Sequence, residues 1–268
     1  MKKVNFHLIL RRLKNFLIHI FIYLCIAIAL IFLVGLMFEL LKEGVKNINF
    51  TFFSQITAPP EDKGGMLNAI IGSLAITFFA LLLATPLGVI IGIYLAEYGK
   101  ENFLAVLARW INDLFLSAPS IIIGLFVYTI YVEQVLHFSG WAGAFALALI
   151  SLTIIVRTTE DVFRLVPKEL REAVIALGAP EWKLLTLIIR KVAKNAILTG
   201  IVLSFARISG ETAPLLFTTL NNSFLSLDMK HPIASLPVTI YEYAMSPYSA
   251  WQKLAWSGAL LITFIALT

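Results

Sequence analysis

Ionisable side chains and cysteine are scarce in this sequence. Of its 268 residues only 14% are charged, whereas 59% are hydrophobic, and the mean hydropathy is +0.88. Soluble domains carry about 25% charged residues, so this composition indicates an integral membrane protein. The single cysteine, Cys25, excludes an internal disulfide and a cysteine metal cluster. The orientation of the protein in a membrane explains the net charge of +5 better than a nucleic-acid partner does.

Motifs of catalytic chemistry are also missing. The chain has no Gly-x-x-x-x-Gly-Lys-Ser/Thr loop, since the only lysine directly after a glycine is Lys100 and Glu101 follows it. The loops contain no metal-ligand spacing and no nucleophile beside an obvious base, so a membrane enzyme is the least favoured class. We expect no catalytic residue, metal or cofactor in this chain, and any ATP hydrolysis has to come from another polypeptide.

Long apolar runs dominate what is present. They lie near residues 16–38, 70–96, 117–135, 141–156, 196–216 and 254–267, which predicts six transmembrane helices. The first run contains 23 residues and no small-residue cleavage site follows it, so we interpret it as a retained anchor and not as a signal peptide. The last run is short for a crossing unless Trp251 to Ala255 join the helix or the given chain is truncated.

The distribution of lysine and arginine predicts the orientation. With a cytoplasmic N-terminus, 15 of these residues lie on the cytoplasmic side and 5 on the other, with Arg207 left in the membrane. We expect two parts: residues 1–65, with the tail, first helix and a periplasmic connection, and residues 66–268, the main transmembrane domain. Glu97 ends the second span and the pair Glu160 and Asp161 begins the segment after the fourth span, and all three are interpreted as solvated helix ends.

The longest amphipathic segment, about 167–190, lies between the fourth and fifth runs. Pro167 suits a helix start, Gly178 a C-terminal cap and Pro180 the first turn of the next helix, which predicts two short helices with a sharp turn. Leu170, Val174 and Leu177 share one face and charged residues the other. By periodicity alone, the segment is a solvated surface hairpin.

A family resemblance gives this segment a second interpretation. Glu172 and Ala173, followed by Gly178 and Ile188, resemble the EAA signature of ABC-importer permeases. The match departs from the signature at Val174 and at Arg190-Lys191, where the family has alanine and Leu-Pro. The resemblance implies a coupling helix that docks on a separate ATPase. The residues that it assigns to this contact are Glu172, Ala173, Gly178, Ala179 and Trp182.

Four other stretches resemble the PstA-type permeases of phosphate ABC importers and so narrow the resemblance. They are TPLGVIIGIYLAEYG (85–99), APSIIIGLFVY (118–128), ARISGETAPLLFT (206–218) and ASLPVTIYEYAMSPY (234–248). This implies an all-α, MetI-like type I importer core with one extra N-terminal helix, in a bacterial or archaeal inner membrane. The implied partners are a PstC-like permease, two copies of an ATPase subunit and a periplasmic phosphate-binding protein, with membrane lipid around the helices and phosphate as substrate.

Arg207 and Glu211 are the candidate substrate contacts. On one helix over 196–216 they share a stripe with Gly200 and Ser204, and Arg207 lies near the bilayer centre. A guanidinium stays charged and can bond two oxygens of an oxyanion, and Glu211 can neutralise it when no anion is present. We include Ser204 and Thr212 in the predicted pathway. The alternative is a fixed ion pair that only joins helices.

Two other functions stay open at this point. One is a permease for another oxyanion, namely molybdate, sulfate or phosphonate, because only the 206–216 string separates these substrates. The other is a secondary transporter or channel that works without ATP, against which stand the docking segment and the absence of an inverted-repeat signal.

Overall fold

The computed structural model describes residues 6–99, 102–178 and 180–267, and the regular structure in these ranges is helical. The helices are α1 (Phe6–Val45), α2 (Phe50–Ser54), α3 (Leu67–Glu97), α4 (Phe103–Ser117), α5 (Ser120–Val127), α6 (Glu133–Val135), α7 (Gly140–Arg164), α8 (Lys168–Ala176), α9 (Glu181–Ile188), α10 (Lys194–Ser209), α11 (Ala213–Leu216), α12 (Leu236–Met245) and α13 (Ser249–Leu267). Two π-helical turns, Tyr128–Val132 and Ile189–Ala193, join α5 to α6 and α9 to α10.

Four of these helices, α1, α3, α7 and α13, are long and apolar enough to cross a membrane. A fifth span results if α4 and the Ser120–Val135 helix, which meet at 109°, count as one. In the structure Trp251 to Ala255 belong to α13, so the last helix is longer than the apolar run 254–267. The count of six stays a prediction.

The predicted continuous fifth span, 196–216, is wrong at its C-terminal end. Helix α10 ends at Ser209, and α11 begins as a separate turn at Ala213. Pro214 lies in the first turn of α11, where its missing N–H costs no helical hydrogen bond. Arg207 and Glu211 therefore lie on the two sides of a helix end and not on one continuous helix.

The centre of the fold is the packing of α3 against α7. Gly88 lies against Ile155 and Gly92 against Thr159, so the two backbones approach closely where a side chain on either glycine would collide. Ile76, Ala80 and Leu147 fill the core between these helices. Small residues at helix contacts are typical of membrane proteins, because lipid exposure supplies no hydrophobic force between helices.

Helix α1 is peripheral over most of its length. Its apolar side chains are exposed from Leu10 to Val34, and only its C-terminal end packs on α13. Gly44 lies against Leu260 there, and the Ser257 hydroxyl donates to the Gly44 carbonyl at 2.7 Å. The first segment of the chain is thus attached to the last helix.

Candidate functional site

A cavity of about 450 Å³ opens between the C-terminal end of α4, α7 and α10. Its lining residues are Leu116, Ile154, Arg157, Thr158, Leu203, Ala206 and Arg207. Two arginines and one threonine therefore project into surroundings that are otherwise apolar. A cationic group in such surroundings interacts more strongly with an anion than it does in bulk water.

Arg207 lies in the last turn of α10, and its side chain is 47% exposed. Its Nε is 3.7 Å from Glu211 Oε1, which is longer than a normal hydrogen bond of 2.7–3.2 Å. Glu211 is more enclosed, with 16% of its side chain exposed. The carboxylate therefore balances the charge of Arg207 without holding the guanidinium in one geometry, which leaves its donors available for an anion.

Arg157 is a cavity residue that the sequence interpretation missed. It directly follows the apolar run 141–156, and the predicted pathway does not include it. In the structure it lies on α7, is 52% exposed and pairs with Asp161 one turn later, with Nε to Oδ2 at 3.2 Å. Each cavity arginine thus has a carboxylate four residues after it. That shared spacing is the signal that the sequence offered.

The other predicted pathway residues do not join this cavity. Ser204 is completely buried, and its hydroxyl donates to the Gly200 carbonyl at 2.8 Å. Gly200 lies against Thr158 of α7, so Gly200 and Ser204, unlike Arg207, belong to the packing of α10 on α7. Thr212 is partly buried and immediately precedes α11. The described geometry therefore brings Arg207 and Arg157 to the cavity, keeps Glu211 beside Arg207, and places Ser204 in a helix contact.

The amphipathic segment forms two short helices, α8 and α9, with a turn between them, as predicted. Gly178 has φ +72°, a left-handed conformation that residues with a side chain rarely adopt. Pro180 immediately precedes α9. Glu172, Ala173 and Trp182 are exposed, and the ammonium of Lys183 lies 5.5 Å from the Trp182 ring centre. Ala179 lies outside the described residues.

The packing face of this segment is narrower than predicted. Val174 packs on a buried cluster that includes Phe163, Leu184 and Ile188. Leu177, expected on the same face, is almost fully exposed because the chain leaves helix α8 at Ala176. The exposed part of the segment therefore includes an apolar side chain as well as charges.

Three acidic residues were interpreted as solvated helix ends, and for two of them this is wrong. Glu160 is 3% exposed, and its Oε1 accepts from Arg109 Nε at 2.7 Å and from Arg164 Nη2 at 2.5 Å. Glu97 is 13% exposed and pairs with Arg171. The interpretation holds for Asp161, which is 53% exposed. Each of these two carboxylates is bound by an arginine from a distant segment, Arg109 for Glu160 and Arg171 for Glu97, which local sequence does not reveal.

Two histidines meet in the loops after α6 and α11. The rings of His137 and His231 stack with centres 6.2 Å apart, and His231 Nδ1 is 2.7 Å from Asp228 Oδ2. The pKa of the Asp228 carboxyl is held below its usual 3.8, mainly by the hydrogen bond from the Lys230 backbone N–H and to a smaller extent by the hydrogen bond with His231. A search of the described ranges finds no group of three potential metal ligands.

Comparisons with known proteins agree on the family. The profile of the family described as "Binding-protein-dependent transport system inner membrane component" matches residues 88–268. The phosphate transport system permease protein PstA of Pasteurella multocida is 49% identical over 98% of this chain and 94% of its own. The protein of that name from Haemophilus influenzae is 53% identical over 91% and 87%, and PstA 1 of Mycobacterium tuberculosis strain H37Rv is 35% identical over 96% and 85%.

A solved structure supports the fold. A chain of the MetNI methionine ABC transporter in inward-facing conformations superposes with a TM-score of 0.55, covering 74% of this chain and 90% of that chain. At 20% identity this likeness shows the fold alone, and it confirms the predicted ABC importer permease core. The chain belongs to the inner-membrane components of binding-protein-dependent transport systems, and among them to the PstA-type permeases.

Proposed function

We propose that this chain is a permease subunit of an ATP-driven importer of inorganic phosphate, and that it forms half of the translocation pathway. The observation that carries the proposal is the pair of half-exposed arginines, Arg157 and Arg207, on one cavity between α7 and α10. Relatives with nearly full-length similarity are named as phosphate transport permeases, which favours phosphate over molybdate, sulfate or phosphonate.

The chemistry of the cavity fits a transient anion site. Two guanidinium groups can bind the oxygens of a phosphate through several charge-assisted hydrogen bonds. Asp161 and Glu211, each four residues after its arginine, balance these charges when the anion leaves. Because both ion pairs are partly exposed, exchanging a carboxylate for a phosphate requires little desolvation. The site can therefore release its substrate, as a transport pathway requires.

The coupling of transport to ATP is assigned to α8, α9 and their turn. We propose that Glu172, Ala173, Gly178, Ala179 and Trp182 contact an ATPase subunit, of which the complex holds two copies. The exposure of four of these residues supports the assignment. A PstC-like permease would complete the pore and a periplasmic phosphate-binding protein would deliver the substrate. In this proposal ATP binds only to the ATPase subunits, and this chain holds no nucleotide, metal or cofactor.

The proposed topology has the N-terminus in the cytoplasm and six crossings. Residues 66–268 would form the transport unit, with residues 1–65 as an added anchor. In this arrangement α8 and α9 lie on the cytoplasmic side, together with most of the lysines and arginines. A cysteine placed at position 169, in a Cys25→Ser background, would then react with an impermeant thiol reagent only in inverted vesicles.

The test of the site is phosphate uptake by the complex reconstituted with its co-purifying partners. We expect Arg207→Gln and Arg157→Gln each to lower uptake at least about tenfold, as expected for an oxyanion contact worth more than about 1.4 kcal/mol. Arg164→Gln is the matched control, because Arg164 lies on α7, is 50% exposed and does not line the cavity. Near-normal uptake by both cavity variants in intact complexes would refute direct contact.

Substrate selectivity needs a separate measurement. Binding protein loaded with phosphate is expected to stimulate ATP hydrolysis by the reconstituted complex more than binding protein loaded with molybdate or sulfate. Stimulation by another oxyanion instead would reassign the substrate. Phosphate transport by the purified chain without any ATPase would indicate a secondary transporter or channel.

A further inference from the structure

Arg171 connects α8 to two other helices. One nitrogen of its guanidinium, Nη1, pairs with Glu97, the last residue of α3. Another, Nη2, donates to the Phe163 carbonyl of α7 at 2.7 Å. The side chain is 20% exposed, so this contact is partly shielded from water. A single planar cation therefore joins the segment assigned to ATPase contact with the ends of the two helices that form the centre of the fold.

The pair favours one arrangement of these three helices. Glu97 is largely enclosed, and its other oxygen, Oε1, is buried with no hydrogen-bond partner in the described part of the chain. A carboxylate in such a position is costly without its counter-ion. Moving α8 away from α3 would leave that carboxylate unpaired. The contact therefore resists separation of α8 from the helix ends beneath it.

The two faces of α8 have different contacts. Arg171 and Val174 point toward the body of the protein, whereas Glu172 and Ala173 are exposed. A displacement applied to the exposed face is thus transmitted through Arg171 to α3 and α7. Helix α7 also carries Arg157, six residues before Phe163, on the cavity.

We propose that Arg171, held by Glu97, is a positioning residue of transport that keeps α8 attached to α3 and α7 throughout the cycle. Displacement of the segment by the ATPase then moves α7 and the cavity arginine that it carries. This inference rests on the proposed function for its coupling role. It predicts that disrupting the pair separates ATP hydrolysis from transport.

The test compares charge reversals in the reconstituted complex. Arg171→Glu and Glu97→Arg are each expected to lower the amount of substrate transported per ATP hydrolysed at least about tenfold, and the double reversal to restore the ratio to within about threefold of the wild type. Glu133→Arg is the control, a charge reversal at an exposed position outside the segment assigned to ATPase contact. Single reversals with the wild-type ratio would overturn the proposal.

Two further variants decide the matter if the reversals prevent assembly. Arg171→Lys retains the charge but lacks the planar fork, so an assembled complex with a lowered ratio would support the role of the bridging guanidinium, and an unchanged ratio would oppose it. In a Cys25→Ser background, Glu97→Cys combined with Arg171→Cys is expected to lower the ratio, and a short thiol cross-linker between the two cysteines is expected to restore it. A ratio that does not rise on cross-linking would overturn the proposal, because attachment of α8 to α3 would then not be what transport requires.

Measurements on the wild-type complex separate the test of this inference from the test of the proposed function. Phosphate uptake by the wild type tests the substrate. The change in the ratio on charge reversal is measured for whichever oxyanion the wild type transports, and so tests the attachment of α8 by itself.

Discussion

Two adjacent carboxylates on α7, Glu160 and Asp161, test how burial determines the contribution of an ion pair to the free energy of unfolding. Each is paired with an arginine, and each can be replaced by an amide of nearly the same shape. They differ in exposure, since 3% of the Glu160 side chain and 53% of the Asp161 side chain are accessible. We therefore compare Glu160→Gln with Asp161→Asn.

The expected costs follow from the contacts. Removing one partner of a buried pair costs about 3–5 kcal/mol. Arg109 keeps hydrogen bonds to the carbonyls of Leu95 and Gly99, at 2.6 and 3.0 Å, after the charge of Glu160 is lost. We therefore lower the expectation for Glu160→Gln to about 2–4 kcal/mol. For Asp161→Asn, an exposed i,i+4 pair with Arg157, the expected cost is below about 0.5 kcal/mol.

Thermal unfolding of the purified chain in detergent measures the difference. For a chain of this size about 1 kcal/mol shifts Tm by 2–4 °C, so Glu160→Gln is expected to lower Tm by about 5–15 °C and Asp161→Asn by less than about 2 °C. Far-UV circular dichroism at low temperature confirms that both variants are folded. Equal shifts for the two variants would refute the reasoning, because burial would then not govern the cost.

Three other substitutions test the packing. Gly92→Ala would place a Cβ 2.6 Å from Thr159 Cβ, and we expect it to destabilise the chain by about 1–3 kcal/mol in the same unfolding assay. The control is Gly35→Ala, which has nothing within 4 Å of the added Cβ and is expected to be neutral or slightly stabilising. A smaller effect at Gly92 than at Gly35 would contradict the α3–α7 geometry. Gly178→Ala forces a side chain into φ +72°, at a cost of about 1–2 kcal/mol, and is expected to speed amide exchange in α8; unchanged exchange would argue against the turn. Asn68→Ala removes bonds to Thr57 and to the Asn222 carbonyl, at a cost of about 1–3 kcal/mol, and is expected to increase proteolysis within 217–235; wild-type resistance would count against the anchoring of that loop.

Local patterns were sufficient for much of the fold. Runs of apolar residues identified α1, α3, α7 and α13, because a crossing helix must satisfy its own backbone and present apolar side chains along its whole length. Proline and glycine identified the turn between α8 and α9, since both act on the backbone of their own residues. Arg207 was recognisable as a functional candidate because a charge in apolar sequence is costly wherever it packs.

Contacts between distant residues required the tertiary structure. Glu97 and Arg171 are 74 residues apart, and Arg109 and Glu160 are 51 apart. A sequence pattern shows each charge but not its partner, so the buried carboxylates resembled ordinary solvated helix ends. For the same reason the predicted pathway omitted Arg157 and included Ser204, although Ser204 packs on α7.

Composition and apolar runs by themselves thus determined that the chain is a helical membrane protein, and the resemblance of its motifs indicated a PstA-type permease, because all of these are properties of contiguous residues. Only the tertiary structure decided that α10 stops before Glu211, that Arg157 joins Arg207 on one cavity, and that Arg171 joins α8 to α3 and α7. Those features depend on which helices meet and on how much water remains between them. Burial and the identity of the partner then decide whether a charge is a surface group, a structural ion pair or a contact for substrate.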